Sequence, residues 1–224
     1  HTGAGETFFD LSARLGGSRP GGAAKIATFA SGFFGAINGS TVANVATTGN
    51  FTIPLMKRLK YPPAYAGAVE AIASTGGQLA PPIMGTAAFV MAELVGVNYW
   101  SIALAGVVPA LLFYLGIYST VHVIARRQGF RPVTSEDLPD WRGAMTFARL
   151  APIVAALLGL GFGVLNGNSV ELTACYGMIA MLVAVLVARI SSGEDPRAVI
   201  GIIIRALEAG GKGVVIVGIL LVGA

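Results

Sequence analysis

Charge is what this sequence has least of: 12% of its 224 residues are Asp, Glu, Lys or Arg, against 54% hydrophobic residues and a mean hydropathy of +0.74. A water-soluble domain carries about 25% charged residues, so a chain with its whole surface in water is excluded first. Cysteine occurs once and histidine twice. A single thiol makes no intrachain disulfide and no zinc site, and Cys175 is expected as a small buried packing residue. No HExxH pair, GxSxG elbow or close Ser/His/Asp set is present, which leaves an intramembrane enzyme as a remote alternative. The formal net charge of +4 comes without RNP-like aromatics or zinc-finger spacing, so nucleic acid is not an expected partner. The sequence opens on His1 without a signal-peptide pattern and stops at Ala224 inside an apolar run, and is expected to be an excerpt of a longer chain.

Long stretches without charge are what the sequence does have. A bilayer core about 30 Å thick needs roughly 20 apolar residues in a helix. Ile26 to Met56, Ala71 to Ala92, Leu94 to Ala125, Leu150 to Val170 and Leu172 to Ala188 all lack Asp, Glu, Lys and Arg. Gly213 to Ala224 begins another such stretch. The dispersed basic residues then act as a topology signal, because Lys and Arg favour the cytoplasmic side.

Arg14, Arg19 and Lys25 precede the first stretch, and Lys57, Arg58 and Lys60 follow it. One crossing would strand a positive cluster outside. A re-entrant hairpin over about 26–56 leaves both flanks on the cytoplasmic side, with its tip at Asn38-Gly39-Ser40-Thr41, where glycine and small polar residues permit a tight reversal. The chain then crosses from Ala64 to an external turn near Glu93 to Trp100, with Tyr99 and Trp100 placed for the interfacial aromatic belt. It returns through Ser101 to Ala125 and emerges at Arg126, Arg127 and Arg131. His122 falls near that boundary and is read as an interfacial side chain. Residues 133–149 form a polar cytoplasmic connection. Leu150 to Leu165 and Leu172 to Ala188 then go out and back around a turn at Asn166 to Glu171. Arg205, Glu208 and Lys212 are spaced for an exposed stripe on an interfacial helix.

Polar residues inside such segments carry more information than apolar ones, since an unpaired polar group in hydrocarbon costs roughly several kcal/mol. Two clusters qualify. The first holds Asn38, Gly39, Ser40, Thr41, Asn44, Thr47, Thr48 and Asn50. Hydroxyl and amide oxygens with freed carbonyls can replace the water shell of sodium, and the NH groups of a helix start can hold a carboxylate. The plainer reading is close helix packing by small residues. An Asn38-Gly39-Ser40 glycosylation pattern is discounted, because its apolar surroundings argue against exposure.

The second cluster is Ser74-Thr75-Gly76-Gly77-Gln78, followed by Pro81-Pro82 and Gly85. Pro81 and Pro82 lack NH donors and clash with the preceding turn, so a helix over about 64–94 must break there. Irregular backbone at membrane depth is tolerated where it is covered by protein or lines a watery cavity. Glu70 lies one turn before the break. It pairs inside the bundle, serves an ion pathway, or remains solvated near the cytoplasmic end.

These residues carry a resemblance. Gly39-Ser40-Thr41-Val42-Ala43-Asn44-Val45-Ala46-Thr47-Thr48-Gly49 resembles the first hairpin motif of the large membrane subunit of tripartite ATP-independent periplasmic (TRAP) transporters, in the fused, TAXI-like form. Ala68-Val69-Glu70-Ala71 through Ser74-Thr75-Gly76-Gly77-Gln78, then Pro81-Pro82-Ile83-Met84-Gly85, is the more specific match. The resemblance implies an elevator-type transporter of two inverted repeats, each with a re-entrant hairpin and a broken helix. It implies sodium as coupling ion and no other cofactor, a small organic acid as substrate, a periplasmic substrate-binding protein, and a small membrane subunit or fused equivalent.

The expectation is therefore an all-α integral membrane protein of a prokaryotic inner membrane, a polytopic bundle carrying part of an inverted-repeat fold. Residues 1–132 form the first repeat, with its last helix at about 101–125; 133–149 connect; 150–224 begin the second. Asn38, Gly39, Ser40, Thr41, Asn44, Thr47, Thr48, Ser74, Thr75, Gly76, Gly77, Gln78, Pro81, Pro82 and Gly85 are the expected substrate and ion site, with Glu70 on a possible ion pathway. A carboxylate or ion exchanger with re-entrant hairpins and no binding protein is the alternative within the class; a structural scaffold is the bland one.

Overall fold

The computed structural model describes residues 4–134, Asp137, 147–191, and Gly201, Ile204, Arg205, Glu208 and Gly211. Among them every regular element is helical. Most of the expected connection over 133–149, Lys212, and the stretch from Gly213 onward lie outside the described residues. Contacts divide the chain into a unit from Gly5 to Ala144 and a second that holds the helices after Met145.

The first unit opens with α1 (Ala4–Gly16), an element that the charge-free stretches do not announce. It docks through aromatic contacts, Phe9 on Phe51 at 5.9 Å and Phe8 on Phe33 at 6.3 Å between ring centres. The hairpin follows as α2 (Gly22–Asn38) and α3 (Thr41–Arg58). Its reversal is built by three neighbours. Gly39 takes φ 63 and returns its N–H to Gly35 O at 2.8 Å; Asn38 Oδ1 accepts from Ser40 N–H at 2.6 Å; Ser40 Oγ caps α3 by accepting from Ala43 N–H at 3.3 Å. The tip falls where the glycine and small polar residues place it.

Next comes α4 (Pro63–Thr75), which begins with proline in its first turn, where the missing N–H is no loss. Its regular form ends at Thr75. A single 3₁₀ turn, Gly76–Gln78, leads into irregular chain through Gly85, including a cis Pro81–Pro82 bond, before α5 (Thr86–Val95) resumes. The broken chain is tied down at three points. Ile83 N–H donates to Ala36 O on α2 at 3.1 Å, Gly85 N–H donates to Gln78 O at 2.9 Å, and Tyr99 O–H donates to Pro82 O and Ile83 O at 2.9 and 2.7 Å. Tyr99 therefore differs from its expected place in an interfacial belt. It is buried, stacked on Phe89 at 4.3 Å, and braces the break from within, whereas Glu93 at the same turn is exposed.

A long helix, α6 (Tyr99–Gln128), is started by Asn98, whose side chain accepts from Trp100 N–H at 2.9 Å, and is stopped by Gly129 at φ 69. Its 30 residues reach about 45 Å at 1.5 Å per residue, enough to cross a bilayer core with length to spare. It presents Leu104, Val108, Leu111, Leu112 and Leu115 outward. The core of this unit gathers Ile26, Leu55, Met56, Tyr61, Val69 and Val121, closed by Phe130 stacked on Tyr61 at 4.0 Å.

Lys25 departs from the sequence reading. Expected on a solvated flank, it lies inside the first turn of α2 with 0% exposure, its Nζ 2.9 Å from His122 Nδ1 and 4.7 Å from the centre of the Tyr118 ring. The helix begins at Gly22, before the last basic residue of the cluster, and packs on the end of α6. Lys25 is carried into that contact and His122 becomes its partner.

The second unit pairs α7 (Phe147–Leu165) with α8 (Val170–Ser191) around a turn containing Gly167 at φ 64. Here Cys175 is exposed, against the expectation of burial. Thr173 and Gly177 face α7, and a residue two positions from each must fall on the opposite side of the helix. Arg205 and Glu208 are helical and exposed. Two helices among the described residues are long and apolar enough to span a membrane, Tyr99–Gln128 and Leu172–Ser191; Thr86–Val95 and Leu150–Leu165 are shorter apolar helices.

Candidate functional site

The hairpin and the broken chain meet. Gly39 sits so close to the break that a Cβ there would lie 1.7 Å from Met84 O. Deeper in, Gly35 of α2 and Gly77 of the 3₁₀ turn touch backbone to backbone. Between these points Asn44, 0% exposed on α3, donates through Nδ2 to Ser31 O at 2.8 Å and to Ser74 O at 3.4 Å. One amide thus bridges both hairpin arms and the last turn of α4.

Below Asn44 lies a closed polar nest around Glu70, which is 0% exposed. Oε1 accepts from Ser31 Oγ at 3.1 Å, Thr48 Oγ1 at 2.5 Å and Ser74 Oγ at 3.1 Å; Oε2 lies 2.5 Å from Thr52 Oγ1. The structure thus places Glu70 inside the bundle and not in solvent. Ser31 and Thr52 are members that the sequence reading missed. For Thr52 a signal existed: Thr48 and Thr52 are four apart, as are Glu70 and Ser74, so each pair shares a helix face. Ser31 carries no such signal.

The other expected residues divide by position. At the tip, Asn38 Nδ2 and Thr41 Oγ1 are buried without a hydrogen-bond partner, while Ser40 is exposed and caps α3. Thr47 is half-buried in the second turn of α3, away from the tip. Thr48 and Ser74 belong to the nest around Glu70. Thr75 points away, its Oγ1 donating to Ala71 O at 2.8 Å. Gly76 lies under the rings of Phe113 and Tyr114, and Gly77 under Gly35. The Gln78 side chain is exposed beside the tip, while its carbonyl holds Gly85. Pro81 and Pro82 are half-buried in the irregular chain, and Gly85 is buried at the start of α5.

Two chemistries are therefore separated. At the tip, the Asn38 amide and the Thr41 hydroxyl are covered but unpartnered beside the irregular chain, so that a donor and a hydroxyl oxygen remain for a small ligand. Around Glu70, hydroxyls close on one carboxyl. Among the described residues no group of three His, Cys, Asp or Glu gathers as a transition-metal site.

The family model described as "Tripartite ATP-independent periplasmic transporter, DctM component" matches residues 1–224. The C4-dicarboxylate TRAP transporter large permease protein DctM of Pseudomonas aeruginosa is 30% identical over 139 residues, 62% of this chain and 32% of that protein. The isethionate TRAP transporter permease protein DctMQ of Oleidesulfovibrio alaskensis is 27% identical over 176 residues, 77% of this chain and 27% of that protein. The 2,3-diketo-L-gulonate TRAP transporter large permease protein YiaN of Escherichia coli is 27% identical over 111 residues, 49% and 25% respectively. The chain spans about a third or less of the length of these relatives.

Proposed function

Because this chain belongs to the family of DctM components of tripartite ATP-independent periplasmic transporters, we propose that it forms part of the multi-pass permease of a sodium-driven importer of small organic acids. Its partners are a periplasmic substrate-binding protein and a small membrane subunit or its fused equivalent. Residues 1–132 act as the first repeat, 133–149 as the connection and 150–224 as the start of the second. The three relatives are named for anionic organic compounds, which supports this substrate class.

The observation that carries the reading is the amide of Asn44, which joins the hairpin to the end of α4 directly behind a tip whose Asn38 Nδ2 and Thr41 Oγ1 lack partners. Broken helices in transporters present backbone and small side chains to cargo in this manner. Sodium takes the Thr41 hydroxyl and irregular carbonyls between Leu79 and Gly85. The substrate's acid group lies against the start of α3, with Gln78 at its edge; the positive end of that helix favours negative charge. Thr48 and Ser74 turn their hydroxyls to Glu70. Hairpin and break then move together in an elevator-type step, since they are joined by the backbone contact of Gly35 with Gly77, by Ile83 N–H on Ala36 O and by the Asn44 amide.

Uptake by the full-length transporter, reconstituted with its binding protein, tests this. Uptake is expected to need both an inward sodium gradient and the binding protein. Uptake that persists without sodium removes the coupling claim, and uptake without the binding protein favours an exchanger.

A further inference from the structure

The crevice between α2 and α6 carries two features that transport at the tip leaves unused, and they lie end to end. At the Gln128 end of α6, Arg19 is exposed and donates to Tyr118 O–H at 3.2 Å. The chain that carries it lies on α6, since a Cβ on Gly21 would be 2.6 Å from Ala125 Cβ. Arg126, also exposed, follows Ala125 directly. Among the described residues neither arginine meets a carboxylate, and Asp137 is held by Arg131. A guanidinium stays charged at any working pH, so two fixed positive charges stand here without a counter-charge. Lys25 backs the Tyr118 ring but is 0% exposed, out of reach of a ligand.

Deeper along the same two helices, past the Phe29 ring 5.8 Å from that of Tyr118, opens a cavity of about 400 Å³. Its walls are Phe29, Gly32 and Phe33 of α2, Ala110 of α6 and Pro81 of the broken chain. Two polar side chains border it, and both are satisfied within the protein: Thr28 Oγ1 donates to Ala24 O at 2.9 Å and Tyr114 O–H to Ala73 O at 3.1 Å. An occupant finds no hydrogen bond there, so it must be apolar. Val107 and Leu111 complete the lining, and Leu111 belongs to the outward apolar row of α6, which bilayer chains cover. From Tyr118 to Val107 the helix rises about 16 Å at 1.5 Å per residue. One leaflet of hydrocarbon is about 15 Å deep, half of a core about 30 Å thick. The two features are thus one lipid length apart.

We propose that this crevice binds an anionic phospholipid, its headgroup phosphate against Arg19 and Arg126 and one acyl chain running past Phe29 into the cavity beside Pro81. Arg19 spends one of its five N–H donors on Tyr118 and keeps others for phosphate. Basic pockets between spanning helices on the cytoplasmic side recruit such headgroups. A soluble phosphate would satisfy the arginines and leave the cavity unfilled; a zwitterionic lipid would fill the cavity but bring a cation with its phosphate. The bound lipid joins the first hairpin arm, the break and α6 by a contact separate from the tip.

Native mass spectrometry and melting of the full-length permease test this without any uptake. The protein is delipidated in detergent, then given phosphatidylglycerol or phosphatidylcholine of identical chains. The wild type is expected to retain phosphatidylglycerol over phosphatidylcholine and to melt higher with it. Arg19→Gln is expected to lower that preference about fivefold, the share of one basic residue at an anionic surface, while Arg19→Lys keeps most of it. Val107→Trp, which adds bulk to the lining, is expected to weaken retention of both lipids. Excess inorganic phosphate is expected to leave the lipid in place. Equal retention of the two lipids by the wild type, or a preference that Arg19→Gln does not alter, overturns the proposal. Displacement by inorganic phosphate, or unchanged retention in Val107→Trp, overturns it as well, since the acyl chain would then contribute nothing.

Discussion

Gly35 on α2 and Gly77 in the 3₁₀ turn approach so closely that a Cβ on Gly77 would lie 2.6 Å from Gly35 Cα and 3.2 Å from Asn44 Nδ2. Neither neighbour can move aside as a flexible chain end would, since one is backbone and the other is bonded to Ser31 and Ser74. Gly77→Ala is therefore expected to lower stability by about 1–3 kcal/mol or more, the range for overpacking. Gly67 in α4 provides the contrast, because nothing lies within 4 Å of its Cβ position. Gly67→Ala is expected to be neutral or stabilising by up to about 1 kcal/mol. Thermal unfolding of both variants in detergent checks the pair; equal effects would show that the contact carries no weight.

Asn44 and Gln78 separate two kinds of importance. Asn44 is buried and bridging, so Asn44→Ala is expected to lose both uptake and about 1–3 kcal/mol of stability, the cost of leaving buried partners unmatched. Gln78 has an exposed side chain beside the tip, so Gln78→Ala is expected to lose uptake while melting and membrane insertion stay as in the wild type. Uptake and melting curves for the two proteins decide it. Wild-type uptake in Gln78→Ala removes that residue from the site.

How much of this was legible beforehand follows from how local each signal is. The reversal at Asn38-Gly39-Ser40 and the break at Gly76 to Gly85 were readable, because glycine, capping residues and proline impose backbone form within a few positions. Which face of a helix is covered depends on distant chain. Cys175 looked buried by residue type yet lies opposite Thr173 and Gly177, and Tyr99 looked interfacial yet braces Pro82 and Ile83. Lys25 and His122 are 97 positions apart, and nothing in spacing joins them. Ser31 was missed in the Glu70 nest for the same reason, whereas Thr52 was within reach of a four-residue periodicity.

Outside the helices, Arg131 donates to Asp137 at 2.8 and 3.1 Å, and Thr134 adds its N–H and hydroxyl. The hydrogen bond from Arg131, with those from Thr134, holds the Asp137 carboxyl well below the usual carboxylate range. A depressed value means that the contribution is fully present above the unfolded value, about 3.9, and is lost as pH falls through the lower folded one. Asp137→Asn is thus expected to cost the same at pH 7 and pH 5, at most about 1 kcal/mol for a pair whose arginine is exposed. Melting temperatures at the two pH values check the sign; a cost that shrinks between pH 7 and pH 5 refutes it.

Lys25 offers the strongest test of the packing between α2 and α6. Its ammonium donates to His122 Nδ1, which fixes His122 as the acceptor at that nitrogen, and it lies over the Tyr118 ring, where a cation is favoured. Arg19 donates to Tyr118 O–H at 3.2 Å, so the same ring is approached by two cations. Removing His122 alone takes one hydrogen-bond partner from a fully buried lysine and leaves it the Tyr118 side chain, and His122→Ala is expected to destabilise by about 1–3 kcal/mol, the cost of leaving a buried donor unmatched. Lys25→Met removes the charge together with its need for a partner, and is expected to cost less. In the double variant the two losses should not add: His122→Ala made in the Lys25→Met background is expected to cost well under its value in the wild type. Unfolding of the four proteins in one detergent measures that coupling directly. Strict additivity would mean that His122 contributes only packing, with Lys25 balanced by the aromatic face instead.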